Sequence, residues 1–106
     1  MAFALYYGDR RYREYSIVVK NRTGQVVELT GGVKAALLPV GSTPDENTEW
    51  VEASYAEGVV LVLLLGPGAA VTGGALVIPL GGADLWFQYE DETELEADFV
   101  ESVSVR

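Results

Sequence analysis

A chain of 106 residues, 49% of them hydrophobic, is enough for one domain with a real core and too little for two, and that apolar content excludes intrinsic disorder despite a formal charge of -9. The absence of cysteine removes disulfides and thiolate metal sites, and the absence of histidine removes the commonest zinc ligand and the usual general base. The acidic balance argues against nucleic acid, because binding a phosphate backbone wants a basic field.

Segments rich in Val, Leu, Tyr and Trp recur between turn signals about every 8–12 residues, the spacing of a sandwich or barrel, and none carries a helical period. The start of the chain, MAFALYYGDRRYREY, has neither a basic leader nor a long apolar region, so synthesis and folding in a cytoplasm are expected. The first strand is expected over Phe3 to Tyr7. In the second, Tyr12 to Lys20, the apolar Tyr15, Ile17 and Val19 alternate with Glu14, Ser16 and Lys20, with Val18 as the exception. Asn21-Arg22-Thr23-Gly24 reads as a hairpin turn in which Gly24 supplies a positive φ, leading into a partner strand Gln25 to Leu29.

Further strands are expected over Val33 to Val40, Glu49 to Ser54, Val59 to Leu65, Ala75 to Leu80, Asp84 to Glu90 and Phe99 to Val105. The polar stretch Gly41 to Thr48 is a loop, the most mobile one expected, and Pro39 and Pro79 belong at strand ends or edges because neither can donate to a ladder. Thr30-Gly31-Gly32 and Thr72-Gly73-Gly74 each precede an apolar strand carrying a proline. Two ordinary Gly-Gly turns explain this better than a duplicated hairpin.

Val59 to Leu65 is uninterrupted apolar sequence, bracketed by Gly58 and Gly66-Pro67-Gly68. It falls far short of the about 20 residues that span a bilayer as a helix, so no membrane is expected. An antiparallel strand normally shows one wet face. A strand without alternation implies a second cover, from a loop, a neighbouring element or another protein. In Asp84 to Glu90, alternation sends Leu85, Phe87 and Tyr89 to one face and Trp86 and Gln88 to the other, which makes Trp86 the leading candidate anchor for a partner.

The charges are unevenly distributed. Up to Lys34 the bases Arg10, Arg11, Arg13, Lys20, Arg22 and Lys34 outnumber the acids, whereas beyond it Arg106 stands against an acidic remainder. The two halves can meet as pairs within one fold or as a head-to-tail contact between copies. The acidic run Glu90, Asp91, Glu92, Glu94, Glu96, Asp98 and Glu101 lacks the Gly of an EF-hand loop, so calcium is not expected, and a solvated turn explains it better than a catalytic carboxylate pair. Arg10, Arg11 and Arg13 are the natural cations to ease it, arginine being suited to bidentate carboxylate contacts. The glycine clusters lack the spacing of a phosphate loop. With no nucleophile and base at a recognisable spacing, no enzyme and no cofactor is expected.

Taken in order, the Thr-Gly hairpin (VVKNRTGQVVELTG), the apolar strand with Pro39 (VKAALLPVG), the polar loop, the Trp50 strand (EWVEASY), LLLGPG, and LGGADLWFQYEDETE before a last strand resemble small Ig-like or baseplate-like β-sandwich proteins in the virions of tailed bacteriophages, notably those of actinobacteria. The resemblance runs from Ile17 to Val105, with Trp50, Gly66-Pro67-Gly68 and Leu85-Trp86-Phe87 before Asp91-Glu92-Thr93-Glu94 as its most recognisable pieces. Thr93 stands where the family usually has a proline. It implies an all-β, antiparallel Ig-like β-sandwich of about 7 to 9 strands, one domain over residues 1–106 with residues 1–13 as an N-terminal docking segment. It also implies a structural, non-enzymatic role in the virion, docked on capsid subunits as a decoration or minor capsid protein, or on tail or connector subunits, as a homo-oligomer. The candidate interface residues are Tyr6, Tyr7, Arg10, Arg11, Arg13, Trp86, Glu90, Asp91, Glu92 and Glu94. A receptor- or carbohydrate-binding module reading a host-surface glycan through the aromatics and the loop Gly41 to Thr48 is the alternative.

Overall fold

Turn residues cut the chain into short extended pieces that have to find their partners far away in sequence. The computed structural model describes residues 3–20, 23–27, 29, 31–91 and 94–106, with the backbone alone for Asp91 and Glu94. These residues form eight strands and no helix: β1 (Phe3–Leu5), β2 (Arg10–Ser16), β3 (Val33–Leu38), β4 (Val51–Ala56), β5 (Val59–Leu65), β6 (Ala75–Val77), β7 (Ala83–Asp91) and β8 (Glu94–Val105). The fold is all-β. The strands form one sheet in the order β1-β8-β7-β3-β4-β5-β2, with β6 added to β5, and the sheet curls until it nearly closes into a barrel. Pairing is mainly antiparallel, as expected, but β1 runs parallel to β8 and β6 parallel to β5, so the sheet is mixed.

β5 pairs with three strands. β2 pairs with all seven of its residues, from Arg10↔Leu65 to Ser16↔Val59, while its other edge is shared by β4 (Ser54–Ala56) and β6 (Ala75–Val77). Val60, Val62 and Leu64 point into the common core with Val33, Ala35, Leu76, Ile78, Leu85, Phe87 and Val103. On the opposite face Leu63 and Leu65 are also buried, whereas Leu61 is partly exposed and Val59 is 40% exposed. Of the second covers that the sequence allows, the chain itself supplies the one over Leu63 and Leu65, while Val59 and Leu61 keep part of their surface open. The turn after β1 packs against the end of β5: the Gly66 N–H donates to the Asp9 carbonyl (2.8 Å) and the Gly68 N–H to the Tyr7 carbonyl (2.9 Å). A side chain at Gly66 would overlap the carbonyl oxygens of Tyr6 and Tyr7, so glycine is required there by close approach.

Pro39 and Pro79 lie just beyond β3 and β6 and each opens a turn, closed by Ser42 N–H to Pro39 O and Gly82 N–H to Pro79 O at 2.9 Å. Proline thus leaves the ladders intact, as expected. The first of these turns is tied to β7, because the buried Asp84 carboxylate accepts from the Gly41 N–H (3.0 Å) and from the Ser102 hydroxyl (2.9 Å). The loop beyond it is organised by Asp45, whose carboxylate accepts from the Asn47 N–H and whose own N–H donates to the Thr48 hydroxyl.

The expected strands Tyr12 to Lys20 and Ala75 to Leu80 come out as Arg10–Ser16 and Ala75–Val77, and two others differ more. Gly24 has the expected positive φ of 83°, with Asn21 and Arg22 outside the described residues, but in place of a strand the described part of Gln25 to Leu29 shows the Lys20↔Val26 bridge, the Val27 N–H to Val19 carbonyl bond and the Leu29 N–H donating to the Tyr55 hydroxyl. Its anchors are few: Val19 and Leu29 enter the core, whereas Val18 and Val26 face water. Conversely the last strand begins at Glu94, not Phe99, and pairs along the whole of β7. The acidic run is not simply a turn, since Leu95, Ala97 and Phe99 alternate with Glu96 and Asp98, which is itself a strand pattern. A register shift at Leu85/Trp86 moves the partner from Glu101 to Phe99 and leaves Val100 as the bulged residue.

β4 and β5 are joined by the two-residue turn Glu57-Gly58, both at positive φ (51° and 78°), the arrangement whose twist suits a hairpin. Glutamate disfavours that backbone region through its Cβ. Glu57→Asn is therefore expected to stabilise the protein by about 0.5–1 kcal/mol, seen as a melting temperature a few degrees higher.

Candidate functional site

The two ends of the sheet, β2 and the β1–β8 pair, approach one another without a backbone ladder among the described residues, and side chains bridge the gap. Alternation turns Arg13 and Tyr15 of β2 to the same side as Val62 and Val60, and across the seam Glu101 stands opposite Leu85. The Arg13 guanidinium donates to both oxygens of Glu101, Nε at 2.8 Å and a terminal nitrogen at 3.4 Å, and the Tyr15 hydroxyl donates to the same carboxylate. Glu101 is nearly enclosed, its side chain 12% exposed. Arg13 also lies over the Phe3 ring, 4.1 Å from its centroid, so the cation touches β1, β2 and β8 together.

These contacts shift the groups in one direction. Hydrogen bonding to Glu101 holds the Arg13 guanidinium even more firmly protonated than usual. Burial, reinforced by the bond to Glu101, pushes the Tyr15 hydroxyl well above its ordinary range. Arg13, a candidate interface residue, is engaged with Glu101 within its own fold. This is the within-chain meeting of basic and acidic halves, with the bidentate geometry that arginine allows.

Other candidate residues are at the surface. Tyr6 and Tyr7 are exposed on the turn between β1 and β2, where the Tyr6 N–H donates to the Asp9 carboxylate. Arg106 lies 5.7 Å from the Tyr6 ring centroid. Arg10 and Arg11 are exposed at the start of β2 beside the exposed Tyr12. These five side chains thus sit on one short stretch, Tyr6 to Tyr12. Glu90 is exposed near the end of β7, Asp91 and Glu94 form the last pair of the β7–β8 hairpin, and Glu92 lies outside the described residues.

Trp86 occupies the outward face of β7 as expected, half-buried, and packs edge-on against Phe99 of β8 with ring centroids 5.9 Å apart. Phe99 is 52% exposed, and Ala97 and Leu95 continue the same outward row. The Trp86 indole N–H is buried without a hydrogen-bond partner among the described residues, a deficit that costs about 1–3 kcal/mol. The sequence pattern places Phe99 in the last strand and at no site. The alternation of Leu95, Ala97 and Phe99 through the acids was the signal for it.

A cavity of about 280 Å³ opens at the seam between Tyr15, Ile17, Phe87, Tyr89, Asp98 and Val100. Tyr15 meets Phe87 edge-on inside it at 5.3 Å, and the Tyr89 hydroxyl donates to Asp98 at 2.6 Å. Among the described residues no group of three or more acidic side chains is arranged to hold a metal ion. No protein-family model matches the chain, and neither curated proteins nor solved structures match it.

Because the Tyr15 hydroxyl ionises later in the folded protein than in the unfolded chain, its contribution is intact below the ordinary tyrosine value of about 10 and is lost as pH rises above it. Chemical denaturation as a function of pH should show the midpoint falling above about pH 10, and Tyr15→Phe, which has no group to ionise there, should show a shallower fall.

Proposed function

We propose that the protein is a non-enzymatic structural protein of a tailed-phage virion, docking on capsid or tail subunits and reinforcing the assembly as an oligomer. The observation that carries this reading is the outward aromatic pair: Phe99 half in water and resting on Trp86, in a row with Leu95 and Ala97. Large aromatic side chains held rigidly at a sheet surface are the usual anchors of protein interfaces, since they bury much area at small conformational cost. The resemblance carried by Trp50, Gly66-Pro67-Gly68 and Leu85-Trp86-Phe87 supplies the virion setting. With β5 buried by its own chain, the driving force for docking falls to this row and to the exposed stretch Tyr6 to Tyr12.

Capsid decoration fits a small unit repeated over a lattice somewhat better than a single tail position. The exposed Arg10 and Arg11 are the cations left for contact between copies once Arg13 is committed to Glu101, and the acidic surface of a neighbouring copy is their complement, setting register more than affinity.

Phe99→Ser and Trp86→Ala should each lower incorporation into purified particles at least about tenfold, measured by quantitative mass spectrometry of virions. Phe99→Ser is the cleaner variant because Phe99 is the more exposed of the two, and unchanged incorporation of it would remove the proposed anchor. Replacing Arg10 and Arg11 together by Glu should weaken self-association in sedimentation experiments at low salt, and undiminished oligomers would rule out a basic–acidic register between copies.

A further inference from the structure

The near-barrel is left open along one line. β8 pairs with β7 on one edge, but on its other edge only Val103–Val105 carry a partner, the short parallel β1. From residue 94 to residue 102 that edge has no ladder among the described residues. The seam cavity lies beside this open stretch, and of the residues lining it Asp98 is the sole charged one. One Asp98 oxygen accepts from Tyr89, and Oδ1 accepts nothing among the described residues.

Three features select what can lie there. An open strand edge recruits an extended segment through main-chain hydrogen bonds. The residues of β8 alternate, with Leu95, Ala97 and Phe99 on the Trp86 side and Glu96 and Asp98 on the side of Phe87 and Tyr89, so a matching strand alternates apolar and basic side chains. A second copy of β8 would set acid against acid and is disfavoured. The cavity, at about 280 Å³, is below the roughly 300–1,000 Å³ of sites that enclose a drug-sized molecule, and it suits one long side chain. Aromatic rings beside a carboxylate are the surroundings that a cation prefers.

We propose that the seam between β2 and β8 receives an extended segment of a partner protein with alternating basic and apolar residues. The segment adds as a strand to the open edge of β8 and seats one Lys or Arg side chain between Tyr15, Phe87, Tyr89 and Asp98. The Arg13–Glu101 pair marks the upper end of this site, where the seam is already bridged. The inference concerns the open edge of β8, whose outward residues Leu95, Ala97 and Phe99 also belong to the row beside Trp86, and it is testable on the isolated protein.

The probe is a short capped peptide alternating lysine and valine, with two controls: the same peptide with glutamate for lysine, and one of identical composition with the lysines clustered. Calorimetric titration should show binding of the alternating lysine peptide alone, weakening as salt is raised. Nuclear magnetic resonance should place the perturbed amides at residues 95–99 and the perturbed rings at Tyr15, Phe87 and Tyr89. Asp98→Asn keeps the acceptor for Tyr89 and removes the charge, and it should weaken binding about tenfold with an unchanged melting temperature. Equal binding of the glutamate peptide, equal affinity of Asp98→Asn, or perturbations away from β8 would overturn the proposal. Equal binding of the clustered peptide would reduce the effect to bulk electrostatics and overturn strand addition. Asp98→Asn leaves Phe99 in place, so equal affinity of that variant would overturn this proposal without touching virion incorporation through Phe99.

Discussion

A sheet whose two ends approach without hydrogen-bonding must be held by something other than a ladder, and here a single carboxylate serves. Glu101 receives the Arg13 guanidinium and the Tyr15 hydroxyl from the opposite end of the sheet, and Arg13 in turn covers Phe3. An enclosed carboxylate is tolerable only when paired and hydrogen-bonded, so the three side chains depend on one another. With them in place β2 stays over the core, and β5 can be paired on both edges. Without them β2 would be held by β5 alone, and the inward row Val60, Val62 and Leu64 would lose one wall.

The same closure accounts for where surface chemistry is left over. It acts at one level of the seam, so below it the edges of β2 and β8 remain apart and the cavity beside Asp98 opens. It also divides the charge. Glu101 and Arg13 neutralise one another inside, Arg10 and Arg11 stay outside at the start of β2, and Glu96 and Asp98 line the open part of β8. Acidic residues along an exposed edge discourage pairing with a second copy of themselves. They equally favour a basic partner, so protection against aggregation and selectivity for a ligand have the same physical origin.

Much of the framework was legible in the residues. β5 begins and ends where Gly58 and Gly66 bracket it, β7 shows the expected faces, and Pro39 and Pro79 open turns beyond their strands. These features are local, since they follow from a positive φ, a missing N–H or a period of two. The departures turn on which strand finds a neighbour to pair with. β8 reaches back to Glu94 because β7 lies alongside it, which outweighs the poor strand preference of Glu and Asp. The segment Gln25 to Leu29 has a strand's composition, but its described residues carry the isolated Lys20↔Val26 bridge in place of a ladder.

The sequence alone determined an all-β chain without cysteine or histidine chemistry, its turn positions, the faces of its strands and the unequal charge of its halves, because composition and short-range periodicity encode these directly. Tertiary structure decided which apolar residues were surplus. Most of β5 became core, Val59 and Leu61 excepted, with β2, β4 and β6 paired along its edges, whereas Phe99 became surface because a bulge and an edge left it outside. It also decided that Arg13 faces Glu101, 88 positions away, a choice among many possible ion pairs. Such a choice depends on the curvature that brings the two ends of the sheet together, and curvature belongs to the assembled sheet, not to any segment of it.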